Sequence, residues 1–332
     1  MINGHGDDLH LYPDVWANFS SNVYADTDNH ALIEHLGRML TSSLGSYPEP
    51  EPYELQGMLA QAHGLDAEEV LVTNGATEAI YLIAQHYKGQ CSRILQPTFS
   101  EYADACLLHE HHLSDEGADV LWLCSPNNPT GRCEAEHQLE QEIIQGRSPI
   151  VIDRSYEYFC ARSLPKRVIR PDLLYIHSLT KRYKIPGLRL GYIIGHRETL
   201  AQVRQLRQPW SVNALAIEAG KWIASNGFPE SIDRQRLWRE RDRLAGALRE
   251  IQGIELEETD THFMLLKTPY PATELKEYLA REHGLLVRNA SNFLGLSPQH
   301  LRIATQTPEM NDALIRGLKA YIEQQHTPPR HV

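Results

Sequence analysis

From about residue 54 to 195 the chain alternates short β-rich runs with helical patterns. "EVLVT" precedes "TEAIYLIAQHY", "SRILQP" precedes "FSEYADACLL", "DVLWLCSP" precedes "AEHQLEQEII", and "PIVID", "LLYIHS" and "LGYIIG" follow. Strands joined through helices run mostly parallel, with helices covering both faces of their sheet. The expected class is therefore α/β, with a large domain built on a mostly parallel sheet. Beyond about residue 216 the strand patterns "HFMLLK" and "HLRIAT" flank a helical "ATELKEYLAREHG", which predicts a smaller α+β domain.

An open parallel sheet binds its ligands at the carboxyl ends of its strands. Here those ends run straight into polar turns: "TNGAT", "QPTFSEY", "SPNNPTG", "DRSY" and "SLTK". The candidate site is thus assembled from five turns on one edge.

Charge and composition narrow what such a site serves. A formal net charge of −11 disfavours a nucleic-acid partner, while a local basic pocket remains open to a small anion. The 332 residues are 42% hydrophobic, ample for a large core. Cys91, Cys106, Cys124, Cys133 and Cys160 contain no Cys-x-x-Cys pair, so they support neither a disulfide framework nor a zinc knuckle and fit a reducing cytoplasm. The polar, acidic opening "MINGHGDDLHLYPD" is unlike a signal peptide, and no run approaches the roughly 18 apolar residues of a membrane span. The histidine clusters "HEHH" and "HGDDLH" lack the His-Glu-x-x-His spacing of a helical metal site, so no metal is expected. The mixed charges of "SIDRQRLWRERDRLAGALREI" read as the solvated face of a helix that buries Leu237, Leu244 and Leu248, with Ile232 on the same side.

Lys181 in "SLTK" taken alone is a solvated turn lysine. Ser178 lies three residues before it and Arg189 eight after, a hydroxyl and a guanidinium suited to a phosphate beside an amine that can attack a carbonyl. A carbonyl and a phosphate in one molecule describe pyridoxal 5′-phosphate. That cofactor needs a lysine, an acid for its pyridine nitrogen, a donor for its ring oxygen, an aromatic face and a phosphate cup. Asp153 ends the apolar "PIVID", where a carboxylate either meets a cation or caps a helix. Tyr156 stands three residues on, within reach of the ring oxygen. "TNGAT" offers the backbone N–H groups of Ala76 and Thr77 at a helix start, or serves only as punctuation with Thr77 as the cap. Phe99 and Tyr102 are ordinary core aromatics, or one of them stacks on the pyridine.

Taken together, the motifs make the chain resemble the fold-type I pyridoxal-phosphate enzymes. Within them it is similar to the branch holding threonine-phosphate decarboxylases and histidinol-phosphate aminotransferases. The likeness runs from "GHGDDLHLY" and "NFSSNVY" through "SYPEPEPYEL", "VTNGATEAI", "SPNNPTG" and "SLTKRYKIPGLRLGY" to "QPWSVNALA" and "LRIAT".

The resemblance implies a large cofactor-binding domain over 29–215, and a small domain made of 216–332 with the N-terminal arm 1–28. It implies Lys181 as the Schiff-base lysine, Asp153 as the pyridine partner, and Asn128 and Tyr156 as ligands of the ring oxygen. Ser178, Thr180, Arg189, Gly75, Ala76 and Thr77 would surround the phosphate. The family implies a homodimer with shared sites, in which Tyr47 reaches the neighbour's cofactor phosphate; read locally, Tyr47 is a turn residue before Pro48. Arg302 matches the arginine for a substrate carboxylate and Arg288 one for a substrate phosphate, with Asn22 and His5 near the same pocket if the N-terminal arm folds over it; read locally, His5 is a solvated N-terminal histidine. The chain departs from the family's pattern at Arg154, Ser155 and His262, positions expected to influence substrate choice. The implied activity is decarboxylation of threonine phosphate, a step of cobalamin biosynthesis; the alternatives are a histidinol-phosphate or general aminotransferase and, from another class, a non-catalytic binding module.

Overall fold

The computed structural model describes residues 8–133 and 148–326. The expected helix "AEHQLEQEII" and His5 lie outside them. Seven strands form the large sheet: β2 (Val70–Thr73), β3 (Cys91–Ile94), β4 (His112–Leu113), β5 (Val120–Cys124), β6 (Ile150–Asp153), β7 (Leu173–Ser178) and β8 (Gly191–Gly195). Their order is β2-β8-β7-β6-β5-β3-β4. All run the same way except β8, which is antiparallel to β2 and β7 on either side. β2, β5, β6 and β8 are buried at every position, the pattern of strands covered on both faces.

Two apolar layers sandwich this sheet. On one face Leu55, Leu59, Val72, Ile152 and Leu190 pack with Ala216, Ile217 and Ile223; on the other Ile80, Ile83, Tyr102 and Trp122 pack with Val151 and Ile193. The helix Ala214–Ser225 therefore belongs to the core of the large sheet. The expected boundary at 215 falls inside that helix.

A second, antiparallel sheet contains β9 (Glu255–Leu256), β10 (Phe263–Lys267), β12 (Arg288–Asn289) and β13 (His300–Ala304), in the order β12-β13-β10-β9. The N-terminal β1 (Ala17–Asn18) pairs in parallel with β11 (Leu285–Leu286). Ala17 and Phe19 consequently share a core with Leu248, Met264, Leu279 and Leu314. The amphipathic helix Arg234–Arg249 buries Leu237, Leu244 and Leu248, and the Asp233 carboxylate caps it by accepting from the Arg236 N–H at 3.0 Å.

β8 brings two turns into contact. Gly191 pairs with Thr73 on one side and Ser178 on the other. A Cβ at Gly191 would lie 2.7 Å from the Gly75 carbonyl carbon and 2.8 Å from the Ala76 nitrogen, so glycine is required for this approach.

Candidate active site

At this edge lies a cavity of about 400 Å³, lined from both sheets. The structure brings Ala76, Thr77, Phe99, Tyr102, Asn128, Asp153, Tyr156, Ser178, Thr180, Lys181, Arg189, Arg288 and Arg302 to its wall. Gly75 and Asn22 stand immediately behind the wall, whereas Tyr47 is 88% exposed and packs against Trp210 away from the cavity. Ser20, Ser21, Glu101, Cys124 and Phe293 also line it and were missed by sequence reasoning. "NFSSN" carried the signal for the serines, but nothing local distinguishes Cys124 or Phe293 from core residues.

Asp153 ends β6 with its side chain buried. Its Oδ2 accepts from the Tyr102 hydroxyl at 2.7 Å and its Oδ1 from the Ser155 N–H at 2.8 Å. Burial raises the carboxyl above its usual range despite these donors. Among the described residues no cation pairs with it within ion-pair distance, so the wall holds an anion in need of a cationic partner. Tyr102 is thus a positioning residue for that carboxylate, its ring wedged between Phe99 and Trp122, while the half-buried Phe99 presents an aromatic surface.

The opposite imbalance lies close by. Arg288 on β12 and Arg302 on β13 are direct cross-strand partners, and both line the cavity. Like charges placed opposite each other destabilise a sheet unless something lies between them. Arg302 donates to the Asn128 Oδ1 and the Ser20 carbonyl, and its Nε, also buried, has no hydrogen-bond partner. Arg288 donates to the Asn292 Oδ1 at 2.9 Å. Neither makes a carboxylate ion pair among the described residues. Burial lowers both guanidiniums to about 10, a desolvation cost that an anionic ligand would relieve.

A third guanidinium, that of Arg189, sits in the left-handed region at φ 59° and donates to the Pro186 carbonyl at 3.3 Å. It lies against the start of the helix Gly75–His86, whose Gly75 has φ 76°. A Cβ on Gly75 would lie 2.6 Å from the Arg189 Nη2. Ser178 and Thr180 face this corner, their hydroxyls 2.8 Å apart. A helix start, two hydroxyls and a guanidinium together form a cup for a phosphate. Asp153 and this cup, both on the wall of one cavity, fit a ring with a cationic nitrogen and an anionic phosphate.

The family departures occupy three different places. Ser155 lines the cavity. Arg154 lines a separate cavity of about 640 Å³, where it donates to the Pro165 carbonyl at 2.7 Å and lies over the Tyr175 ring. His262 is fully buried behind the main cavity. Beside Arg154, His177 Nδ1 donates to Glu157 at 2.9 Å, and Arg167 donates to His177 Nε2 at 3.4 Å and His63 Nδ1 at 3.1 Å. Burial pushes the Glu157 carboxyl up, but His177, Arg167 and Arg154 outweigh it and hold it at about 2.

The chain belongs to the aminotransferase class I and II family, which residues 14–115 and 106–318 match. Members of this family are enzymes that use pyridoxal 5′-phosphate. Among its relatives is the threonine-phosphate decarboxylase of Salmonella typhimurium, 27% identical over 94% of this chain and 92% of that protein. The histidinol-phosphate aminotransferase of Symbiobacterium thermophilum is 31% identical, over 85% and 84%. The crystal structure of L-threonine-O-3-phosphate decarboxylase from Porphyromonas gingivalis superposes with a TM-score of 0.86 at 36% identity, covering 92% of this chain and 99% of that one. No described helix is long and apolar enough to cross a membrane.

Proposed function

We propose that the cavity is the pyridoxal-phosphate site of a threonine-phosphate decarboxylase. The observation that carries this reading is the pairing of Arg288 with Arg302 over the cavity that holds Lys181. Two desolvated guanidiniums suit a substrate with a carboxylate and a phosphate on one molecule. Threonine phosphate has both, whereas histidinol phosphate lacks the carboxylate. The similarity to decarboxylases from two organisms supports the same choice.

In this reading Asp153 holds the pyridine nitrogen, Phe99 covers the ring, and Asn128 and Tyr156 meet the ring oxygen. Ala76, Thr77, Ser178, Thr180 and Arg189 bind the phosphate, with Gly75 permitting the approach. The bound cofactor supplies an electron sink for a bond broken at the substrate Cα. Arg302, fixed by Asn128 and Ser20, orients the carboxylate; Arg288 takes the substrate phosphate, and Asn22 belongs to the surrounding shell. Lys181 anchors the cofactor and returns a proton to Cα after CO₂ departs.

The histidinol-phosphate aminotransferase reading rests on the 31% identical relative. In it Arg302 binds the carboxylate of the amino donor instead, and Lys181 removes a Cα proton. A homodimer completes either version: Tyr47, exposed on one chain, reaches the neighbour's phosphate cup, and a monomeric mass by sedimentation would remove this element. Product analysis separates the two reactions. Purified, cofactor-loaded protein is given L-threonine O-phosphate while CO₂ is followed, and histidinol phosphate with 2-oxoglutarate while glutamate is followed. CO₂ with aminopropanol phosphate and no glutamate is the expected result; glutamate without CO₂ makes the chain an aminotransferase. With the first outcome, the proposal extends to a place in cobalamin side-chain synthesis, in the cytoplasm.

A further inference from the structure

Behind the cavity wall His262, Asn22 and Tyr156 form a directional chain. His262 Nε2 lies 3.1 Å from the Asn22 carbonyl oxygen. A carbonyl only accepts, so the imidazole proton sits on Nε2 and Nδ1 carries a lone pair; Nδ1 is buried without a hydrogen-bond partner. The ring is held against Phe159, with centroids 4.0 Å apart and planes tilted by 33°. Burial first, and then the nearby Arg302 and Lys181, outweigh the Asn22 carbonyl and keep the imidazole neutral, at about 3.

Asn22 is held in the left-handed region at φ 55° and is fully buried. From there its Nδ2 donates to the Tyr156 hydroxyl oxygen at 3.2 Å. A phenol oxygen that accepts from one side directs its own proton elsewhere. The Tyr156 ring is fixed edge-on against Phe263, and the residue opens onto the cavity.

We propose that His262 is a positioning residue: its hydrogen bond holds the Asn22 backbone in the left-handed turn, so that the Asn22 amide fills the Tyr156 lone pair and the phenol proton points into the cavity. The acceptor there is an anionic ring oxygen, as the reading above places it, and the inference rests on that reading. The departure at His262 thereby acts two residues away from the ligand, through the backbone of Asn22. The chain takes no part in bond breaking; it sets the direction of one hydrogen bond.

A hydrogen bond to an anionic oxygen favours its charged form. Misdirecting the Tyr156 proton therefore raises the pH midpoint of the visible absorbance change of the cofactor-loaded protein. Arg302, Asp153 and Cys124 also face Tyr156, and the variants leave all three in place. His262→Phe keeps a ring against Phe159 and removes the donor, and should raise the midpoint by about one unit, a tenfold change in proton affinity. His262→Gln carries an amide donor at the reach of Nε2 and should restore it. Asn22→Gly adopts a positive φ without strain and lacks the amide, so it should match His262→Phe and serves if that variant does not fold. An unchanged midpoint in His262→Phe, or in Asn22→Gly where the former is unfolded, overturns the proposal. Wild-type protein that gains no visible absorbance with pyridoxal 5′-phosphate instead overturns the cofactor reading, which separates the two failures.

Discussion

Two buried polar regions flank the strand β6, and their charges are arranged in opposite ways. Around Glu157, on the Arg154 side, the carboxylate is answered from within the fold: His177 and Arg167 hold it, and Arg167 shares its guanidinium with His63. Around Asp153, on the cavity side, a carboxylate makes no ion pair with a cation among the described residues, nor do Arg288 and Arg302 with an anion. Ionised groups are costly to bury unless paired. A region that balances its charges internally is built for the fold, and one that leaves them open on both signs is built for a zwitterionic visitor.

The largest expected effect belongs to the open region. Lys181→Ala should lower turnover by about a thousandfold or more and abolish the visible absorbance of the loaded protein; retained turnover would break the assignment of the cavity. Arg302→Met should lower kcat/KM by about a hundredfold and change the midpoint of thermal unfolding little, because removal of a buried charge offsets the loss of its bonds to Asn128 and Ser20. A loss of stability comparable to that of an ordinary core variant would show the two regions to be alike. Gly75→Ala adds a Cβ at a positive φ and against Arg189, and should weaken cofactor binding by about tenfold, read by titration of the apoprotein.

Glu157→Gln should have the smallest effect on catalysis, leaving KM unchanged while lowering stability near neutral pH. The folded carboxyl, held at about 2, lies below the ordinary 4.5. Its contribution is fully present above pH 4.5 and is lost as pH falls from there toward 2. With a third of the Glu157 side chain exposed, solvent screening reduces that contribution to about 1–2 kcal/mol. Denaturant midpoints measured from pH 7 down should converge with wild type as acid is added; curves that stay parallel would assign the stabilisation elsewhere.

Much of the site was legible because its signals are local. The turns after β2, β5, β6 and β7 announce themselves by Gly, Pro, Asn and Ser directly after apolar runs, and the structure carries them all to one edge. The opposition of Arg288 and Arg302 was not legible, since it depends on the register of β12 against β13. Nor was the role of Tyr102, whose hydroxyl finds Asp153 through tertiary packing. The packing of the helix Ala214–Ser225 on the large sheet was not legible either, since it depends on tertiary contacts with Leu55 and Leu190. His262 was expected to influence substrate choice; its contact with the Asn22 carbonyl depends on the tertiary path of the chain and was not legible.

The single reversed strand, β8, also dictates when the site can exist. The lysine turn is clasped at both ends, with the Leu179 N–H donating to the Leu190 carbonyl at 3.2 Å and Gly191 seated between Ser178 and Thr73. That seat joins parts of the chain that are far apart in sequence, and such pairings form late because loop closure must precede them. A cofactor that needs the finished cup has nothing to grip on a half-folded chain, so it stabilises the native state by mass action without guiding the chain toward it. The appearance of its colour would mark the end of folding, a clock built into the topology.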